Sequence, residues 1–293
     1  MRYLPRREEV SADRLADLLA GAPREAARTI LTAAQTGLAD AQVMLGQILL
    51  EGRGIQRDPE LAVRWFRIAR EHRHPMAHNM LGRCLEHGWG CEPNPSAAAR
   101  EYRQAAERGL DWGMYNLANL LATGRGVTQD QAQALHLYRR AAELGHAKSM
   151  NLLGRYLEEG LVVPADQAAA WDWYRRSAEG GDFRGQFSHA AVLIAQRRWE
   201  DARHWLTQAL SLGHLMFLRK ARDELLAARI GPIADIAMAY VARCADIGDQ
   251  GDRLIARQIA EPSPTESTAT EGPNLWEARL AANAEQRAAQ GQR

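Results

Sequence analysis

Lysine is almost missing from this chain: Lys148 and Lys220 are its only two, and every other member of its 37 cationic residues is arginine. Genome composition is the first reading of that bias, and arginine-driven recognition is the second. The 37 cations face 36 acidic residues, a net charge of +1. Such a balance gives no global field to draw in nucleic acid or an anionic membrane surface. Cysteine is scarce too, with three residues, too few for a disulfide framework and consistent with a reducing cytoplasm. No run of 18 apolar residues occurs, so no membrane-spanning helix is expected. The opening stretch, MRYLPRREEV, is charged and has no apolar centre, so it is not read as a signal peptide. Catalytic signatures are lacking as well. There is no G-x-S-x-G elbow, no H-E-x-x-H helix and no phosphate loop. The Gly-x-Gly pairs at 52/54, 88/90 and 124/126 lie between two helical patterns, without the preceding strand that dinucleotide binding needs.

What the chain does have is a period. Stepping by 36 residues from Gly124 reaches Gly52, Gly88 and Gly160. Asp130 leads to Asp58, Asn94 and Asp166, and Ala134 to Ala62, Ala98 and Ala170. Tyr138 leads to Phe66, Tyr102 and Tyr174, and Leu117 to Leu45, Leu81 and Leu153. A fixed spacing in this range marks a solenoid of stacked supersecondary units.

The unit itself reads as helix, glycine loop, helix and tight exit. Leu117, Leu120 and Leu121 give the first helix one apolar stripe. Gly124 ends it, because a residue without Cβ adopts the left-handed conformation a helix C-terminus often requires. Asp130 stands where an N-cap is wanted, ahead of the periodic run Ala134, Leu137, Tyr138 and Ala141. In two sister loops a proline follows the cap, Asp58-Pro59 and Asn94-Pro95, where the missing N–H costs nothing. The alanines let helices approach closely and the aromatic fills the gap between them.

This pattern resembles the Sel1-like repeat, a relative of the tetratricopeptide repeat, over roughly residues 22–214, with four successive copies. The resemblance implies an all-α, right-handed superhelical solenoid of antiparallel helix pairs used for protein–protein contact. Two positions depart from it: Ala118 stands for the first-helix glycine and Val162 for the second loop glycine, where looser loops are expected. Some secreted relatives carry a disulfide in each repeat, which three cysteines cannot supply. The wording GHAKSMNLLGRYLEEG is similar to a bacterial branch associated with iron uptake and an Fe(II)/2-oxoglutarate hydroxylase, although no residue here carries that link.

Taken in order, residues 1–38 form an N-terminal segment and a half-repeat cap. Ser11 caps a short helix to Leu19, and Pro23 to Gln35 matches the second helix of a repeat. Full copies occupy 39–74, 75–110, 111–146 and 147–182, and a fifth, 183–214, fits once four loop residues are deleted. Residues 215–248 read as C-terminal capping helices broken at Gly231-Pro232. From 249 to 293 the pattern dissolves into a largely disordered tail, with the linker EPSPTESTATEGP at 261–273 and a terminal helix capped by Asn274.

Two constellations compete for function. The stretch 72–91 holds His72, His74, His78, Cys84, His87 and Cys91, types that bind zinc or iron. The register speaks against it, since Cys84 and Cys91 take slots filled elsewhere by Ile48, Leu120, Ile55 and Val127, as small core residues would. No metal and no other cofactor is expected. By resemblance to tetratricopeptide repeats, first-helix positions facing the concave groove are Asn79, Arg83 and Glu86; Trp112, Tyr115 and Asn119; Asn151, Arg155 and Glu158; and Arg184 and Phe187. Asn and Arg suit peptide backbone and carboxylates, while Trp and Tyr anchor apolar side chains. The plainer alternative makes these residues the solvated face of each helix. Trp65, Trp171, Trp173 and Trp205 sit on second helices and are read as packing. The expectation is a non-enzymatic, cytoplasmic scaffold or adaptor that holds a protein or peptide, acidic or C-terminal, in its groove. A metal-handling or iron-uptake accessory using 72–91 is the alternative, and a regulatory module with its tail helix in the groove is the third reading.

Overall fold

The structure, a computed structural model, describes residues 21–260. The short helix after Ser11, the linker at 261–273 and the helix after Asn274 lie outside the described residues. Among the described residues every regular element is helical. They divide into two compact units, one up to Leu144 and one from Gly145.

The first unit contains α1 (Pro23–Gln35), α2 (Ala39–Glu51), α3 (Pro59–Glu71), α4 (Pro75–His87), α5 (Pro95–Glu107), α6 (Asp111–Thr123) and α7 (Gln131–Glu143). Each full hairpin pairs one first helix with the next second helix: α2 with α3, α4 with α5, α6 with α7. The second helices begin where the sequence supplies a cap. Asp58, Asn94 and Asp130 each accept the backbone N–H three residues on, at 2.9 Å. Losing such a cap costs about 1 kcal/mol. The first helices end in glycine: Gly124 sits at φ 70° and donates to the Leu120 carbonyl. Arg125 donates to the same carbonyl at 3.1 Å, and Asp130 donates back to the Leu121 carbonyl at 3.0 Å, so the loop is closed at both ends.

The core of this unit is built on the second helices of the full hairpins, each of which buries an alanine and, four residues on, a ring. Ala62, Ala98, Ala134, Phe66 and Tyr102 are fully buried. The rings need space on the facing helix, and glycine provides it. A Cβ at Gly82 would lie 2.6 Å from the Tyr102 ring, and one at Gly46 would lie 2.4 Å from Phe66. The half-repeat expected at Pro23–Gln35 is α1, with Ile30 and Ala34 buried.

The second unit contains α8 (Ala147–Glu159), α9 (Gln167–Glu179), α10 (Phe183–Ala195), α11 (Trp199–Leu212), α12 (Leu215–Ala228), α13 (Ala234–Ile247) and α14 (Gln250–Ala260), with a 3₁₀ turn at Gly231–Ile233. The hairpin α10–α11 has lost the glycine loop: three residues, 196–198, connect its helices, where 160–166 connect α8 to α9. Its short turn closes through Arg198 donating to the Leu193 carbonyl at 2.9 Å. Beyond it, α12 and α13 share one core with α10 and α11, including Leu206, Leu218, Leu225 and Tyr240. The buried Tyr240 hydroxyl donates to the Leu206 carbonyl at 2.9 Å.

Two expectations are corrected here. The loop holding Val162 is not looser in its hydrogen bonds. Leu161 donates to the Tyr156 carbonyl at 3.0 Å and Asp166 to the Leu157 carbonyl at 2.9 Å, as in the other copies. Val162 takes the glycine's left-handed conformation, φ 56°, and carries the strain a β-branched residue has there. The tail also starts later than 249, since Gln250–Ala260 is helical and docks on α13. Apolar periodicity did not reveal that helix because its anchor is a charge. Asp252, 3 % exposed, accepts from Arg222 at 2.8 Å and from Arg219 Nε at 3.0 Å. The Arg219 guanidinium, joined by Arg222, holds the Asp252 carboxyl down at about 2.

Candidate functional site

In the first unit, three of the expected groove residues are committed to the interior. The Tyr102 hydroxyl, on a fully buried ring, donates to Glu86 at 2.7 Å. Burial, then the bond to Glu86, push that hydroxyl's pKa up. Arg125 grips the same Glu86 at its carboxylate, 3.1 Å, and at its backbone carbonyl, 2.9 Å. Asn119 accepts the Tyr138 hydroxyl at 2.7 Å. Asn79 is 3 % exposed, and its side-chain oxygen accepts from Asn116 at 2.8 Å, bridging α4 to α6. A polar residue on a first helix was read as a groove contact; the packed tyrosine beneath it supplies a reason internal to the fold. What this unit shows to solvent is Trp112, 38 % exposed and edge-on to Tyr115 at 6.1 Å. Arg83, half-buried, spreads over the Trp89 ring at 5.1 Å.

The tyrosine partners follow a rule that the repeat register makes visible. Glu86 and Glu158 occupy one register position, and they receive Tyr102 and Tyr174 at 2.7 and 2.8 Å. In the copy between them that position is Ala122, so Tyr138 turns to Asn119, one helical turn earlier. The same copy has Ala118, fully buried, where the others have glycine against the ring. There the facing helix carries a methyl where the other copies have none. In the first copy the aromatic is Phe66, without a hydroxyl, and the matching position is Leu50.

In the second unit the structure gathers Asn151, Arg155, Glu158, Arg184 and Phe187 around one cleft of about 640 Å³. Its walls come from α8, α10 and α12, with Trp171 and Tyr174 of α9 at one side. Phe187 is 9 % exposed and forms floor rather than rim, set edge-on to Phe217 at 5.8 Å. Charges are arranged around that apolar floor. Arg155 pairs with Glu159 at 2.9 Å, and Lys220 with Glu224 at 3.6 Å. Arg184, exposed, enters no ion pair of the described residues; it donates to His214 Nε2 at 3.2 Å and lies over Phe183 at 4.6 Å. Asn151 is 8 % exposed, and its buried side-chain oxygen has no hydrogen-bond partner among the described residues.

Sequence reasoning missed the α12 wall and assigned Trp171 to packing. Reading α12 as a cap set it apart from the repeats, yet Phe217, Ala221 and Glu224 recur at i, i+4 and i+7, which places them on one face. That spacing was the available signal.

The His/Cys stretch does not converge. His74 is the N-cap of α4, its Nδ1 accepting from Ala77 while Nε2 meets Asp40 at 2.8 Å. His78 turns to Glu101 at 2.7 Å, and His87 stacks against Trp89 at 4.8 Å. Cys84 is fully buried, and burial pushes its thiol up to about 12, far from the thiolate a metal needs. Cys91 is partly exposed rather than the core residue its register suggested. Among the described residues no three His, Cys, Asp or Glu side chains come together.

Tandem helix hairpins of this kind define an α/α solenoid. The Sel1 repeat model matches residues 39–74, 75–110, 113–146, 147–182 and 200–214, and the chain belongs to the Sel1 repeat family. The last match covers the second helix of the hairpin that lost its loop. Among solved structures, a Sel1 repeat protein from Oxalobacter formigenes is 24 % identical with a TM-score of 0.66, covering 85 % of this chain and 98 % of that one. The protective antigen c5321 of uropathogenic Escherichia coli, displaying an SLR fold, is 26 % identical with a TM-score of 0.60. That match covers 83 % of this chain and 54 % of the antigen. No curated protein matches. Proteins of the Sel1 family serve generally as interaction scaffolds, and the fold is typically non-catalytic. Among the described residues no helix is long and apolar enough to cross a membrane.

Proposed function

We propose that this chain is a non-enzymatic, cytoplasmic adaptor whose second unit holds a segment of a partner protein in the cleft between α8, α10 and α12. The observation that carries this reading is the cleft itself: an apolar floor of Phe187 and Phe217 beside an arginine, Arg184, that enters no ion pair among the described residues. An aromatic floor desolvates an apolar side chain, and a guanidinium fork suits a carboxylate, so the segment is acidic or ends in its own C-terminus. In the first unit, Arg83, Trp112 and Tyr115 form a separate candidate contact patch. Peptide display panned on the full-length protein tests the reading. Enriched peptides should combine an apolar residue with a carboxylate. Arg184→Ala should weaken them about tenfold, the worth of one charge-assisted hydrogen bond, with an unchanged melt. Enriched peptides that ignore Arg184→Ala and Phe217→Leu alike would overturn it.

A further inference from the structure

The two units treat one inter-helix position differently, and in the second unit that position lies in the cleft. In the first unit Asn79 and Asn116, 37 positions apart, join their side chains at 2.8 Å. In the second unit the residues at the same register positions are Asn151 and Ser188, and both line the cleft. Serine is shorter than asparagine by an amide group. Among the described residues the oxygen of Asn151 therefore stays buried without a partner, where Asn79 has one. A buried acceptor left unpaired costs about 1–3 kcal/mol, so a donor arriving from a bound segment restores that amount.

Resting on the cleft reading above, we propose that the cleft is filled by this chain's own segment beyond Ala260, with Trp276 on the Phe187–Phe217 floor, a backbone N–H supplied to Asn151, and Glu271 or Glu277 on Arg184. Three observations converge on this occupant. The cleft belongs to the unit that the segment leaves at Ala260. Between Glu261 and Glu277 the sequence has four glutamates and no cation, and at the cleft Arg155 and Lys220 are matched by Glu159 and Glu224, which leaves Arg184 as the cation for a carboxylate of the segment. The segment carries Leu275 and Trp276 beside Glu277, an apolar pair next to a carboxylate, as the floor and Arg184 require. Ala260 to Trp276 spans up to about 50 Å when extended. A partner's segment would then have to displace the chain's own, and the adaptor would be self-occupied at rest.

The test uses the full chain with photoreactive p-benzoylphenylalanine in place of Trp276. Irradiation at low concentration, followed by peptide mapping, should place the crosslinks on α10 and α12, with a yield independent of dilution. Ser188→Asn rebuilds the bridge seen between Asn79 and Asn116 and fills the seat. It should cut that yield about fivefold, the equivalent of one hydrogen bond, without lowering the melt. Crosslinks outside the cleft, or a yield indifferent to Ser188→Asn, overturn the proposal. A yield that falls on dilution overturns it in favour of a second copy's tail. Should displayed peptides still depend on Arg184 in that event, the adaptor reading stands and the self-occupancy alone is lost.

Discussion

The contact between Glu86 and Tyr102 can be dissected with a control the chain already contains. Tyr102 is fully buried, and its hydroxyl has the Glu86 carboxylate at 2.7 Å. Replacing Glu86 by leucine strands that hydroxyl away from water, which costs about 1–3 kcal/mol. It also removes the Arg125 pair at 3.1 Å, half-exposed and worth less than about 1 kcal/mol. Tyr102→Phe removes the donor instead, leaving Glu86 held by Arg125, and should cost about 1–2 kcal/mol. Combining the two rebuilds the arrangement of the first copy, where Phe66 is matched by Leu50. The double variant should therefore cost well under the sum, with a coupling of about 1–2 kcal/mol. Urea unfolding followed by circular dichroism on the four proteins measures it. Additivity within about 0.3 kcal/mol would refute the reasoning, and Glu86 would return to the pool of residues available to a ligand.

Gly82→Ala should destabilise by about 1–2 kcal/mol despite the better helix former, because its methyl would stand 2.6 Å from the Tyr102 ring. A thermal melt decides it, and a gain in stability would mean the ring has another seat. Val162→Gly should stabilise by about 0.5–1 kcal/mol, the relief of a β-branched residue at φ 56° less the flexibility glycine adds to the unfolded chain. Gly126→Val, whose Cβ would fall 2.5 Å from the Pro95 backbone, should lose far more in the same melt. Asp252→Ala should cost about 1–3 kcal/mol, since the buried Arg222 loses one of its two carboxylate partners and keeps only Asp223 at 2.8 Å. The pH sign follows from the depressed carboxyl. Between the ordinary value near 3.9 and the folded value of about 2, the folded state binds fewer protons, so stability falls as pH drops through that window. Acid titration of the wild type and Asp252→Asn should show that part of the slope missing in the variant.

The period carried most of the fold. Glycine at 124, aspartate at 130 and the aromatic at 138 are fixed by backbone and packing needs that recur in each unit, so the register located helices, caps and core together. Side-chain destinations were less legible for a related reason. Glu86 and Asn119 sit on the helix face where a groove residue would sit, and only the depth of Tyr102 and Tyr138 beneath them decides which way they bond. The second unit's cleft is half visible in the sequence: the register gives its α8 and α10 walls, while α12 lies past the last copy and reads as a cap. The α14 helix was hidden because one buried carboxylate between two arginines anchors it, a pattern that apolar periodicity does not register.

The shifting partner of the core tyrosine sets a limit on how such a chain can be recombined. Helix α2 is cut for a ring without a hydroxyl, α4 for one that ends on a carboxylate, and α6, with Ala118 and Asn119, for one whose hydroxyl ends on an amide one turn earlier. Helices of equal length and equal register are therefore not interchangeable parts. A graft that joins α4 to α7 would bring Glu86 against a tyrosine whose own helix partner offered Asn119, and would inherit Gly82 as an empty seat. The exchangeable piece is the whole hairpin, and the places to cut this sequence are the exits at Gly37, Gly109, Gly145 and Gly181, where the sides of these internal agreements part company.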